Sequence, residues 1–100
     1  MDKLNVIVSL LTEEIHSDRH KIHNSSQINF KFYAYSIWAK EMLLTRLVEL
    51  AYSDPWDVIN SFILEMEEYK RFDKTGMFHV ANFVGYRICD KVRELEKETL

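Results

Sequence analysis

With one proline and two glycines in 100 residues, the chain has little material for hairpin turns or long loops. That scarcity points away from a sheet protein and toward helices joined by short connections. A single cysteine, Cys89, excludes an intramolecular disulfide and fits a reducing compartment, so the expected location is the cytoplasm. No run of Lys or Arg occurs, and 13 basic against 16 acidic residues give a net charge of −3 with neutral histidines. Duplex binding is driven largely by phosphate neutralisation, so nucleic acid is not an expected partner. No long apolar run is free of charges either. The most hydrophobic stretch carries Lys31, Lys40, Glu41, Arg46 and Glu49, which would be costly in lipid. At the N-terminus, MDKLNVIVSLLTEE reaches Glu13 and Glu14 without a small-residue cleavage site and does not read as a signal peptide. A soluble protein with no membrane partner is expected.

What is present is apolar and aromatic: 47% and 13% of the chain, enough for one packed core in one domain, residues 1–100. Its densest stretch runs from Phe30 to Tyr52, where 16 of 23 residues are apolar or aromatic. At about 100° per residue they cover almost the whole circumference of a helix, which therefore needs burial on every side. We read it as a central helix on which the others pack.

Before it, Leu4, Ile7, Val8, Leu11, Ile15 and Ile22 recur at helical spacing on one face, giving a first helix over about Lys3–Ile22. Asp18 falls on that apolar face, so either the helix bends near Ser17 or Asp18 meets a basic partner. The polar connection HNSSQIN offers Asn24, Ser25, Ser26 and Asn29 as caps for the second helix, and the pattern does not choose among them.

After the central helix, Ser53-Asp54-Pro55-Trp56-Asp57 combines a stop with a start. Proline disfavours helical geometry in the residue before it and is favoured at the first helical position. Asp54 is the expected N-cap, with Asp57 placed to reach back as a capping-box acid. A third helix follows from Pro55 to Tyr69 or Phe72, burying Ile59, Phe62, Ile63, Met66 and Tyr69. Asp73-Lys74-Thr75-Gly76 is the next turn, and Asp73 or Thr75 caps a fourth helix whose inner face carries Met77, Val80, Ala81, Val84, Ile88, Val92 and Leu95. The expected fold is all-α, an antiparallel bundle of four helices; three long helices with the third turned across them is the alternative.

Candidate chemistry is sparse. Glu13, His16, His20 and His23 share one helix face, and histidines at i, i+4 are a workable metal clamp. That face lies away from the apolar stripe, so it reads as a solvated surface, and no metal or other cofactor is expected. Glu13-x-x-His16 is half of a di-iron carboxylate motif, but the motif must occur twice and point inward, and no second copy exists. Glu65-x-x-Glu68, with Asp90 and Glu94, offers the acids that an all-α nucleotide pyrophosphohydrolase would use to hold magnesium. Only Glu65 flanks a buried stripe, and the second acidic motif of that family is missing. Cys89 and His79, ten residues apart on one helix, are separated by about 15 Å and form no catalytic pair. The aromatic run Phe30, Phe32, Tyr33, Tyr35 has Lys31 as its one cation, too little for a base-stacking groove.

Two function classes follow. The first is a non-enzymatic protein-interaction module that self-associates, such as an immunity-type protein, an inhibitor or an adaptor. Its expected contact residues are Phe83, Tyr86 and His79 on the outer face of the fourth helix, then Trp38 and Tyr35 on the second, and the expected partner is a second copy in a homodimer. The alternative is a small metal- or nucleotide-dependent hydrolase using Glu65, Glu68 and Asp90.

Overall fold

The computed structural model describes residues 2–24 and 26–98, and helices account for 86% of it, with no strand among the described residues. Four α-helices pack against one another: α1 (Lys3–Ile22), α2 (Gln27–Glu49), α3 (Pro55–Tyr69) and α4 (Met77–Glu98), with a 3₁₀ turn (Lys70–Phe72) after α3. Side-chain pairs fix the directions. Asp18 meets Ser36 and Lys40 while Lys21 lies over Tyr33, so α1 and α2 run antiparallel. Asn82 bonds the Ile63 carbonyl while Phe78 stacks on Tyr69, so α3 and α4 do too.

The first helix has the expected bounds, and Asp2 caps it by accepting from the Leu4 amide at 3.1 Å. The link between α2 and α3 is also as the residues dictate: Asp54 accepts from the Trp56 amide at 2.9 Å, with Pro55 in the first turn. Asp57, however, does not close a capping box. Its backbone amide bonds the Asp54 carbonyl at 3.0 Å, and its exposed carboxylate does not reach back to the Asp54 amide.

The second helix departs from expectation twice. It starts at Gln27 after Ser26, which makes no side-chain cap bond, and ends at Glu49 instead of running to Tyr52. Leu50 to Ser53 form the turn into α3, and Tyr52 is fully exposed. Of the four cap candidates Ser26 holds the position; Ser25 lies outside the described residues. Nor is α2 buried all round. Ser36, Ala39, Lys40, Leu43 and Leu47 are buried, whereas Phe30, Phe32 and Val48 are exposed. Three neighbouring helices of 20, 15 and 22 residues cover one broad face, and among the described residues Phe30, Phe32 and Val48 on the other side stay exposed.

The core is one cluster drawn from all four helices. Ile7, Leu11, Leu43, Leu47, Ile59, Phe62, Met66, Ile88 and Val92 are its largest fully buried side chains. Both α2 and α4 touch every other helix, so the central role expected of α2 is shared. Close approach of α4 to α3 depends on Gly85: a Cβ there would stand 2.7 Å from Ile63 Cγ1 and 3.3 Å from the Phe62 ring.

The last turn is built around Asp73. Its Oδ1 accepts from the Thr75 and Gly76 amides, and its Oδ2 from the Phe78 and His79 amides at 2.8 and 3.0 Å. Thr75 adds an acceptor for the Met77 amide at 3.3 Å, so both candidates cap α4 together. Gly76, at φ 88°, supplies the left-handed residue that folds this loop back over the helix end.

Candidate functional site

Glu14 and Asp18 are one turn apart on α1, and Ser36 and Lys40 are one turn apart on α2, so each pair shares a helix face. Antiparallel packing sets the two faces against each other. Lys40 Nζ lies 2.7 Å from Asp18 Oδ2 and 2.9 Å from Glu14 Oε1. Ser36 Oγ donates to Asp18 Oδ2 at 2.8 Å, and Lys91 from α4 reaches Glu14 Oε2 at 2.6 Å. One ammonium therefore bridges two carboxylates, and a second ammonium ties α4 to the pair. This is the basic partner that an acid on the apolar face of α1 requires, and α1 stays helical through Ser17.

Buried charges survive only when paired and hydrogen-bonded. Asp18, Ser36 and Lys40 are each at most 6% exposed, and each has its partner. Burial disfavours the charged form of Glu14, but hydrogen bonds from Lys91 and Lys40 outweigh it and hold the carboxyl below its usual range.

This network floors a cavity of about 220 Å³ between α1, α2 and α4. Its rim is different in character. Phe32, Tyr33 and Phe83 stand around it, Phe32 and Tyr33 in an edge-to-face pair with centroids 5.6 Å apart. Lys21 and Arg87 also face the cavity, both from exposed positions. Lys21 Nζ lies 5.9 Å from the Tyr33 ring centre, and neither cation forms an ion pair among the described residues. Four cations against two carboxylates line the cavity, although the chain as a whole is acidic.

The residues singled out from the sequence lie elsewhere or only partly here. Phe83 and Tyr86, 51% and 52% exposed, stand on the outer face of α4, and Phe83 is also on the cavity rim. His79 is exposed beside them in sequence, its ring nitrogen 2.9 Å from Asp73 Oδ2. Trp38 and Tyr35 are half-buried, and Trp38 packs edge-to-face on Phe78 with centroids 5.8 Å apart. Trp56 is held between Lys3 and Arg93, at 5.5 and 5.7 Å from its ring.

His16, His20 and His23 are all exposed on α1 or just past its end. Glu65 is claimed by Arg46 of α2 through two hydrogen bonds, 2.5 and 3.0 Å, which lower its pKa. Glu68 pairs with Arg71 at 3.6 Å in solvent, and Asp90 and Glu94 are exposed on α4. Among the described residues no three His, Cys, Asp or Glu side chains are grouped as a metal would need. Cys89 is buried, apart from the exposed His79.

Asp18 was legible as an anomaly; Lys40 was not, because α2 reads as apolar almost all round and only the packing shows that Lys40 shares the buried face of Ala39, Leu43 and Leu47. The other members, Glu14, Lys21, Arg87 and Lys91, are ordinary helix charges until the packing brings them together. No family model, no curated protein and no solved structure matches this chain.

Proposed function

We propose that this chain is a non-enzymatic protein-interaction module, an antiparallel helical bundle that associates with a second copy through the outer face of α4. The observation that carries the reading is the exposure of Phe83 and Tyr86, half outside the fold of a single chain. Spaced three apart, they are neighbours on one helix face, and Phe32 stands across the cavity from Phe83. Aromatic side chains exposed together are characteristic of contact surfaces. The open side of α2, with Phe30, Phe32 and part-covered Tyr35, extends the same apolar character. Trp38, already packed on Phe78, contributes at the edge of the surface instead of at its centre.

A two-fold arrangement is the economical one, since an isologous interface uses one patch twice. No helix among the described residues is long and apolar enough to cross a membrane. Together with the unpaired Cys89, this supports a cytoplasmic location. Immunity-type protein, inhibitor and adaptor are the three forms of this reading. Co-purification of a second polypeptide with the bundle selects among them.

The hydrolase alternative needs Glu65, Glu68 and Asp90 to converge on a metal. Glu65 is engaged by Arg46 and the other two face solvent, so the geometry favours the interaction module.

Light scattering tests the reading. At tens of micromolar the unmodified protein is expected at twice its 12.0 kDa chain mass. Phe83→Glu should cost about 2 kcal/mol of association or more and yield a folded, helical monomer. A monomer for the unmodified protein at that concentration would end the dimer proposal.

A further inference from the structure

The cavity between α1, α2 and α4 has a property that self-association does not use. Its floor is electrostatically closed. Asp18 is occupied by Lys40 and Ser36, and Glu14 by Lys40 and Lys91. Neither carboxylate is left to attract a cation, and the two buried or half-buried lysines are spent on them. Its rim is electrostatically open, with Lys21 and Arg87 both facing the space without a carboxylate partner among the described residues.

Those two cations differ usefully. A guanidinium presents a planar fork that matches the oxygens of a carboxylate or phosphate, while an ammonium acts as a point charge. Ser17, on the same wall as Lys21, adds a hydroxyl able to donate to an anion. The remaining walls are apolar: Phe32, Tyr33 and Phe83 at the rim, with Val84 and Ile88 deeper on α4. Aromatic walls favour a flat apolar body, stacked or met edge-on.

Size narrows the ligand further. The volume of about 220 Å³ falls below the range of roughly 300–1,000 Å³ usual for drug-sized ligands. A single ring with one charged group fits; a dinucleotide does not. The surplus of two positive charges on the lining, four cations against two carboxylates, sets the sign of that group.

We propose that this cavity binds a small organic anion, a carboxylate or phosphate carried on one ring-sized apolar body, with Arg87 and Lys21 holding the anion and Phe32, Tyr33 and Phe83 holding the ring. The site lies within one chain, and because Phe32 and Phe83 also belong to the proposed self-association face, the ligand and a second copy compete for the rim.

Titration of ¹⁵N-labelled protein by NMR, with phenyl phosphate and phenylacetate as probes, tests it. At least one of the two should give saturable shifts at Tyr33, Ser36, Phe83 and Arg87 with Kd below about 1 mM. The tighter of the pair identifies the anion. Inorganic phosphate should bind at least about tenfold more weakly because it lacks the ring, and benzylamine should not saturate. The Lys21→Gln/Arg87→Gln double variant, altered only at exposed positions, should keep its thermal midpoint and bind about tenfold more weakly or worse. The proposal is overturned if neither probe saturates below about 10 mM. It is equally overturned by unchanged affinity in the double variant, by phosphate equal to phenyl phosphate, or by benzylamine binding as well as the anions. Light scattering on the same samples reads mass, and the titration is run at a concentration where it shows a monomer, so absence of binding there is not occlusion by a second copy and leaves the dimer test to stand or fall on its own.

Discussion

Lys40 Nζ sits 2.7 Å from Asp18 Oδ2, and both residues are buried between α1 and α2. The pair cross-links two antiparallel helices beside the apolar side chains of Ile15, Ala39 and Leu43. Because Lys40 also holds Glu14, its loss leaves Asp18 without a charged partner and Glu14 with Lys91 alone.

Lys40→Met should therefore destabilise the protein by about 3 kcal/mol, since removing one partner of a buried pair leaves the other unpaired. Replacing both, as Lys40→Met/Asp18→Leu, should recover most of that loss because the buried charge goes as well. Urea unfolding monitored at 222 nm measures both. A loss under about 1 kcal/mol for Lys40→Met would mean that water already serves Asp18.

The acid limb of the stability curve follows from Glu14. Its folded pKa is depressed by Lys91 and Lys40 acting against burial. A depressed carboxylate contributes stability that is present above its unfolded value, about 4.3, and is lost as pH falls toward the folded value. Glu14→Gln should thus lower the thermal midpoint at pH 7, and the gap from the unmodified protein should shrink below about pH 4. A carbon-detected NMR titration should place the Glu14 midpoint below the ordinary glutamate value, and a midpoint above that value would contradict the Lys91 and Lys40 contacts.

How much of this could be read from the residues depends on how local the cause is. Asp54-Pro55 fixed the start of α3 because cap and proline act within one turn. The ends of α2 were misplaced because nothing local marks them: Ser26 makes no cap bond, and Leu50-Ala51-Tyr52 are as apolar as the helix they leave. Asp18 announced a buried partner through its helical phase, yet the identity of that partner needed the α1/α2 register. The cavity was not legible at all. Lys21, Lys40, Arg87 and Lys91 come from three helices, so a scan for basic runs in an acidic chain passes over them.

Gly85 trades helix propensity for proximity. Alanine at a helix interior is ordinarily favourable by about 1 kcal/mol over glycine. Here the new methyl would meet Ile63 Cγ1 at 2.7 Å and the Phe62 ring at 3.3 Å, both in a packed core. Overpacking costs typically 1–3 kcal/mol, so Gly85→Ala should be destabilising on balance, by about 1 kcal/mol, and Gly85→Val by more. A stabilised Gly85→Ala would show that α4 is free to move off α3.

Chelator should leave the thermal midpoint where it is. His16, His20 and His23 are exposed on the outside of α1, whereas a metal that holds a fold together is enclosed by its ligands. A fall of many degrees in chelator, reversed by zinc, would give that histidine face a structural role.

Asp73 orders a last set of variants. Its two oxygens serve the amides of Thr75, Gly76, Phe78 and His79, and the His79 ring stands 2.9 Å from Oδ2. Burial works against the charge, but these donors overcome it and push the Asp73 pKa far below the ordinary aspartate value. Asparagine keeps one acceptor oxygen and loses the charge that the α4 N-terminus favours; alanine keeps neither. His79→Ala removes a single exposed partner and leaves every backbone donor in place. Thermal midpoints at pH 7 should therefore fall in the order His79→Ala least, Asp73→Asn more, Asp73→Ala most. The difference between the unmodified protein and Asp73→Asn should begin to narrow as pH falls below the unfolded aspartate value, about 3.9, and close only in strong acid, where the folded carboxylate is itself protonated. If His79→Ala proves the most damaging of the three, the side-chain pair and not the backbone cap is what holds this end of α4.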